Sequence, residues 1–440
     1  MKQILILISL FLLIHTGTAQ TPLHFDFGGN ARRHLSVTPE TLWPTETDGV
    51  TYGLQVTDGV ETVQYRRRKA RSSFLTSETP FYFNVALPEG NYRVTVTLGD
   101  KKGPSNTTIK AESRRLMVYD HNLEAGEIEE VTFMVSLRSA RISGNDSIRL
   151  KDREFGFLNW DEMLTLEFGG DRPCVAGVSI EALGADRPPI IFLTGNSTVT
   201  DQDMEPWASW GQMFPVFFQP DIIVANYAES GETLRGFISE RRLEKIETLI
   251  QPGDYLFMEF AHNDQKPTGA YVEPWTTYQE YLMKFANMAR EHGATPVFVT
   301  STQRRNFDEN GQVINTLGDY PAAMRQLAER EGIALIDLNA MSETFYEALG
   351  VEESKKALVH FPANTFPRQE KALADNTHFS TYGAWQLAKC VVEGIRATDL
   401  PLNDHLVPNL PDYDPDDPDL ISEWLWPLSP RYEMEKPDGN

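Results

Sequence analysis

Two rhythms in the sequence predict an α/β protein: a three-layer α/β/α domain on a parallel five-stranded sheet, preceded by an all-β sandwich. The first rhythm is a series of short alternating stretches between Gly, Pro and Asn turns, across residues 22–183. The second begins near residue 189, where five near-continuous apolar runs alternate with helical stretches. Alternation marks half-buried strands, and continuous apolar runs mark strands covered on both faces.

The chain opens with Lys2, the apolar run "ILILISLFLLI" and the small, polar "HTGTAQT". That order predicts a secretory signal over residues 1–20, cleaved near Ala19 or Gln20. The run is short for a span, which needs about 20 apolar residues, so membrane insertion is not expected. No cysteine lies near the cleavage region to take a lipid anchor. The expected location is therefore secreted or periplasmic.

Residues 21–185 read as the sandwich. "FYFNVAL" runs through the turn "PEGN" into "YRVTVTLGD", where Val94 and Val96 alternate with Thr95 and Thr97. "EEVTFMVSL", "EMLTLEFGG" and "VAGVSIEAL" continue the pattern. The basic run "RRRKAR" at 66–71 reads as a solvated strand edge or a grip on a polyanion. The boundary is "GADRPP", and the α/β domain is expected over residues 189–400. Its five runs are "IIFLTG", "PDIIVANYA", "DYLFMEFAHND", "TPVFVTS" and "IALIDL". Residues 401–440 form a tail rich in Pro and Asp, which Trp424 and Trp426 should pin to the body. Its acidic cluster reads as a solvated loop, with calcium binding as the other use.

The formal net charge of -23 speaks against nucleic acid and anionic membrane as partners. Two cysteines, Cys174 and Cys390, make no disulfide framework and read as buried thiols. The histidines show no metal-ligand spacing, and no cofactor is expected.

In open α/β sheets, ligands gather at the carboxyl ends of the strands. The first run ends in Gly195-Asn196-Ser197, at the expected start of a helix. Asn226 and Gly231 follow the second run, His262-Asn263-Asp264 the third, and "STQRRNF" the fourth. Before the last helix comes "DNTHFSTYGAWQLAK", with Asp375 and His378 on one loop. Serine, histidine and aspartate supply a nucleophile, a base and the group that orients the base, the set that acyl transfer needs. The backbone N–H groups of Ser197 and Gly231 and the amide of Asn263 are the candidate oxyanion donors.

The blocks "GNSTV", "NYAESGET", "AHNDQ" and "DNTHFSTYG" resemble, in order, those of the SGNH (GDSL) hydrolase superfamily. "GNSTVTDQD", "WGQMF", "HNDQ" and "THFS" are similar to the rhamnogalacturonan acetylesterase family. The resemblance covers roughly residues 189–396. It implies Ser197 as nucleophile, Asp375 and His378 as its partners, and Ser197, Gly231 and Asn263 as the oxyanion hole. The first domain resembles the galactose-binding-like sandwich attached to bacterial members. Two positions depart from the pattern: Asn196 replaces the usual Asp, and Ala261 replaces a glycine.

The family implies an acetylated pectic polysaccharide or oligosaccharide as substrate, hence sugar carboxylates. A protein this acidic then requires a local basic lining. Candidates are Arg235 after the second run, His262 and Lys266 after the third, and Arg304 and Arg305 after the fourth. Trp207, Trp210 and Trp275 could stack on sugars or pack. Another acylated glycan such as xylan is the alternative substrate, and a non-catalytic glycan-binding protein is the alternative outside enzymes.

Overall fold

A computed structural model describes residues 21–29, 34–66 and 71–438 of the 440-residue chain. The expected signal, residues 1–20, lies outside the described residues, as do residues 67–70 of the basic run. Among the described residues no helix is long and apolar enough to cross a membrane.

The N-terminal region is all-β. Glu129–Leu137, Gly90–Leu98, Cys174–Ala182, Leu23–Phe27 and Leu35–Val37 lie in that order in one sheet, with a hairpin of Glu61–Arg66 and Arg71–Thr76 added to Cys174–Ala182. Arg115–Leu123, Ser105–Ala111, Met163–Arg172, Phe81–Ala86, Val50–Gln55 and Thr45–Thr47 make the other. Both sheets send apolar side chains into one core, including Phe25, Val94 and Val96 from the first and Phe83, Ile109 and Leu166 from the second. The "PEGN" turn does not close a hairpin: Phe81–Ala86 and Gly90–Leu98 belong to different sheets. The turn crosses the core, and this lets both strands bury an apolar face in it.

From Ile190 onward the chain winds a parallel sheet. Its strands, in chain order, are Ile190–Gly195, Ile223–Asn226, Tyr255–Glu259, Thr295–Val299 and Ala334–Ile336. Their spatial order is second, first, third, fourth, fifth. Successive residues face opposite layers: Ile191 and Leu193 pack with Trp210, Leu338 and Val391, while Ile190 and Phe192 pack with Phe237, Leu282 and Phe285. The order reverses between the first and third strands. At such a switch point neighbouring connections leave on opposite faces and open a crevice at the carboxyl edge.

Several local expectations change. No helix starts at Ser197; residues 196–200 form a turn, and the next helix is Trp210–Met213. Asp201, Asp203 and Glu205 are instead held by the N-terminal region, and Pro206 lacks the N–H a helix interior needs. The stretch after the second strand breaks into Leu234–Ser239 and Arg242–Glu247, with Arg241 left-handed between them at φ 66°. Asp375 and His378 lie on a strand, Leu373–Phe379, paired antiparallel with Leu358–Phe361, rather than on a loop. A further helix, Leu338–Glu353, was not expected.

Candidate active site

The first parallel strand is buried at all six positions and ends at Gly195, where an added Cβ would meet Glu259 O at 2.7 Å. The turn that follows is closed by Val199 N and Thr200 N, both donating to Asn196 O at 3.0 Å. Asn196 Oδ1 accepts from Thr198 Oγ1 at 2.8 Å. The Thr198 hydroxyl also lies 2.9 Å from Glu259 Oε1, and Trp210 Nε1 donates to Glu259 Oε2 at 2.6 Å. Burial raises the Glu259 carboxyl to about 7, against the lowering pull of these hydrogen bonds. The turn therefore rests on a buried carboxyl at the end of the third strand. It presents Ser197 at the switch point.

His378 Nε2 lies 2.8 Å from Ser197 Oγ, and His378 Nδ1 lies 2.8 Å from Asp375 Oδ2. Asp375 Oδ1 accepts from the N–H groups of Thr377 and His378 at 2.7 and 3.0 Å. Burial alone would raise this carboxyl. The hydrogen bonds from the His378 ring and from the two backbone N–H groups hold it well below the usual carboxylate range. All three side chains are buried. Trp207 meets the His378 ring edge-on with centroids 5.8 Å apart.

Gly231 sits at φ +76°, a left-handed conformation that favours glycine. Asn263 Nδ2 donates to Glu232 O at 3.0 Å, which fixes the amide and, among the described residues, leaves its second N–H free. This arrangement can move a proton from the serine hydroxyl to the imidazole.

The residues expected to line the substrate part company. Lys266 and Arg304 are half-buried near the triad; Arg304 Nη2 donates to His262 O at 3.3 Å. Burial, with Arg304 beside it, holds the His262 imidazole well below its ordinary pKa, and its Nε2 lies 2.8 Å from Thr302 O. Arg305 is committed to the protein, bonding Ser354 Oγ at 3.0 Å, Asn376 Oδ1 at 3.2 Å and Val351 O. Arg235 lies over the Tyr281 ring at 5.4 Å. Trp210 is fully buried under the turn and offers no face to a sugar. Trp275 is exposed and bonded to Asp319.

Three features of the site lie outside what the sequence predicts. Glu259 interrupts an apolar strand, "YLFMEF", and that was a visible signal. The pair Arg114-Arg115 had no local signal, since its partners lie about 90 residues away. Lys436 lies in a tail dominated by acids, and its Nζ is 3.4 Å from Asp375 Oδ2. The tail itself packs through Trp424, which stacks on Tyr119 and donates to Thr381 Oγ1, and through Trp426, which donates to Glu205 Oε1.

Residues 193–385 match the model of the GDSL-like lipase/acylhydrolase family. The rhamnogalacturonan acetylesterase RhgT of Bacillus subtilis is 48% identical over 223 residues, covering 50% of this chain and 95% of that protein. A probable rhamnogalacturonan acetylesterase of the same organism, YesY, is 37% identical over 221 residues, covering 49% of this chain and 97% of its own. Among solved structures, the Bacillus subtilis protein YxiM aligns over 85% of this chain and 98% of its own, at 23% identity and a TM-score of 0.45.

Proposed function

The chain belongs to the GDSL-like lipase/acylhydrolase family and is a carboxylic ester hydrolase, and from that premise we propose that it removes acetyl groups from a pectic polysaccharide through Ser197, His378 and Asp375. One observation carries the reading: the unbroken chain from Ser197 Oγ through the His378 ring to Asp375, with 2.8 Å at each link.

In the reaction, Ser197 Oγ attacks the acetyl carbonyl carbon while His378 Nε2 takes its proton. Asp375 keeps the other ring nitrogen protonated and stabilises the imidazolium. The N–H groups of Ser197 and Gly231 and the amide of Asn263 receive the oxyanion. On collapse the bond to the sugar oxygen breaks, and His378 protonates that oxygen. Water then attacks the acetyl-enzyme, giving its proton to His378. Acetate leaves and Ser197 recovers its proton.

The relatives named as rhamnogalacturonan acetylesterases support the choice of substrate. We read residues 1–20 as the export signal, 21–185 as a galactose-binding-like sandwich and 189–400 as the catalytic domain, which suits a secreted enzyme meeting a polymer. The two sheets on one core support the sandwich.

The test is acetate release from acetylated rhamnogalacturonan and acetylated xylan by wild type and Ser197→Ala. Release by wild type alone, faster from the pectic polymer, is expected. Faster release from xylan would move the substrate, and equal release by both proteins would remove Ser197 from the mechanism.

A further inference from the structure

We propose that Lys436, carried by the C-terminal segment, is a specificity residue of the ester site: with Lys266 and Arg304 it receives a carboxylate of the sugar chain beside the acetylated residue. The inference rests on the polysaccharide reading above and adds to it a residue and a contact chemistry.

The segment that carries Lys436 is built into the site. Glu205 N donates to Arg431 O, Glu433 N to Glu205 O, and Trp207 Nε1 to Glu433 O, each at 2.9 Å. Asp438 pairs with Arg153 of the N-terminal region and crosses the oxyanion-hole glycine; a Cβ on Gly231 would lie 3.0 Å from Asp438 Cβ. Between these anchors the chain walls a cavity of about 550 Å³ with Arg153, Gln202, Trp207 and Ser230. The cavity adjoins the nucleophile, because Gln202 Nε2 donates to Ser197 O at 2.8 Å.

Lys436 brings a cation to this wall beside Asp375. Lys436, Lys266 and Arg304 gather at the triad end, in a protein of net charge -23. Arg304 donates to neutral acceptors, Thr316 Oγ1 and His262 O, each at 3.3 Å. Burial and the neighbouring Arg304 and Lys436 cations lower the Lys266 pKa, so the group repels itself. Lys436 touches Asp375 at 3.4 Å, beyond the roughly 2.7–2.9 Å of a strong charge-assisted bond. Its side chain is 46% exposed and keeps donors for a ligand. Asp152, Glu433 and Glu435 line the cavity as well, together with Lys151 and Arg153. A sugar carboxylate placed beside Lys436 therefore gains from the cations gathered there.

The experiment uses one acetylated, uronate-containing oligosaccharide and the same compound with its carboxyls reduced to alcohols. Wild type, Lys436→Met and Lys436→Arg are compared by kcat and KM on each. Lys436→Met should lower kcat/KM on the acidic compound about fivefold, through KM, with little change on the reduced one. Lys436→Arg should keep the wild-type ratio. The wild-type preference for the acidic compound should also fall as salt rises. An equal loss on both compounds, or no loss on either, overturns the proposal. Should the Met variant not fold, a salt-independent wild-type preference overturns it in the same way. A wild type that releases acetate from neither compound overturns the polysaccharide reading itself, and this one with it.

Discussion

Arg115 Nε stands 3.0 Å from Asp201 Oδ2 with both side chains buried, and this pair ties the all-β region to the segment that follows Ser197. Asp201 Oδ1 accepts from Asn226 Nδ2, at the end of the second parallel strand, at 2.8 Å. Beside it, Ser113 Oγ donates to Asp203 at 2.6 Å and Arg114 pairs with Glu205 at 2.5 Å. The N-terminal region thus holds the segment that follows the Ser197 turn through buried charge. Among the described residues, Arg115→Met would leave Asp201 with Arg138 at 3.6 Å as its remaining ion-pair partner. Breaking one side of a buried pair costs about 3 kcal/mol, and a denaturant midpoint measures it. Adding Asp201→Asn should recover part of the loss, because the stranded charge is removed with its partner.

Ser197→Ala should lower kcat at least about 10⁴-fold, and Asp375→Asn by about 10³–10⁴-fold, with KM nearly unchanged. Asp375 loses more than a charge in that variant, because the ring nitrogen it accepts from would no longer be fixed as the donor. Steady-state kinetics on a soluble acetyl ester provide the check.

Asn263→Ala should reduce kcat by about 10²–10³-fold, the usual effect of losing one oxyanion donor. Gly231→Ala should cost both stability and rate. Its φ of +76° strains any other residue, and the new methyl would press on Asp438. Melting curves and kcat on the same preparation separate the two effects.

Glu259 predicts a pH dependence of stability. Its carboxyl is raised to about 7 when folded, so ionising it opposes folding. The stabilising contribution is full below the unfolded value near 4.5 and fades as pH rises through about 7. Glu259→Gln removes this titration. Wild type should therefore lose up to about 3 kcal/mol relative to the variant between those limits, read from denaturation at several pH values. A constant difference would mean that Glu259 does not titrate in that range.

The meeting of Ser197, His378 and Asp375 was legible because its signals are local. Ser197 follows an apolar run and a small turn; Asn263 follows another; Asp375 and His378 are three residues apart. Where reading failed, the deciding contact was remote. Trp210 lies near a strand end in sequence, yet Glu259 draws its indole into the core. Arg305 sits beside Arg304, but Ser354, Val351 and Asn376 take its donors. Asp375 and His378 form a strand because Leu358–Phe361 is there to pair with them.

The sequence by itself determined the all-β to α/β change near residue 189, the five parallel strands and the serine, histidine and aspartate that meet at their ends. Hydrophobic period and turn chemistry act over a few residues, so they are written in consecutive letters. Only the tertiary structure decided that Arg114 and Arg115 hold the segment after Ser197, that Glu259 lies beneath the Ser197 turn, and that the C-terminal segment brings Lys436 to Asp375. Those contacts join segments from about 60 to more than 80 residues apart. A charge declares its partner only when folding has buried both, and no periodicity along the chain records that meeting.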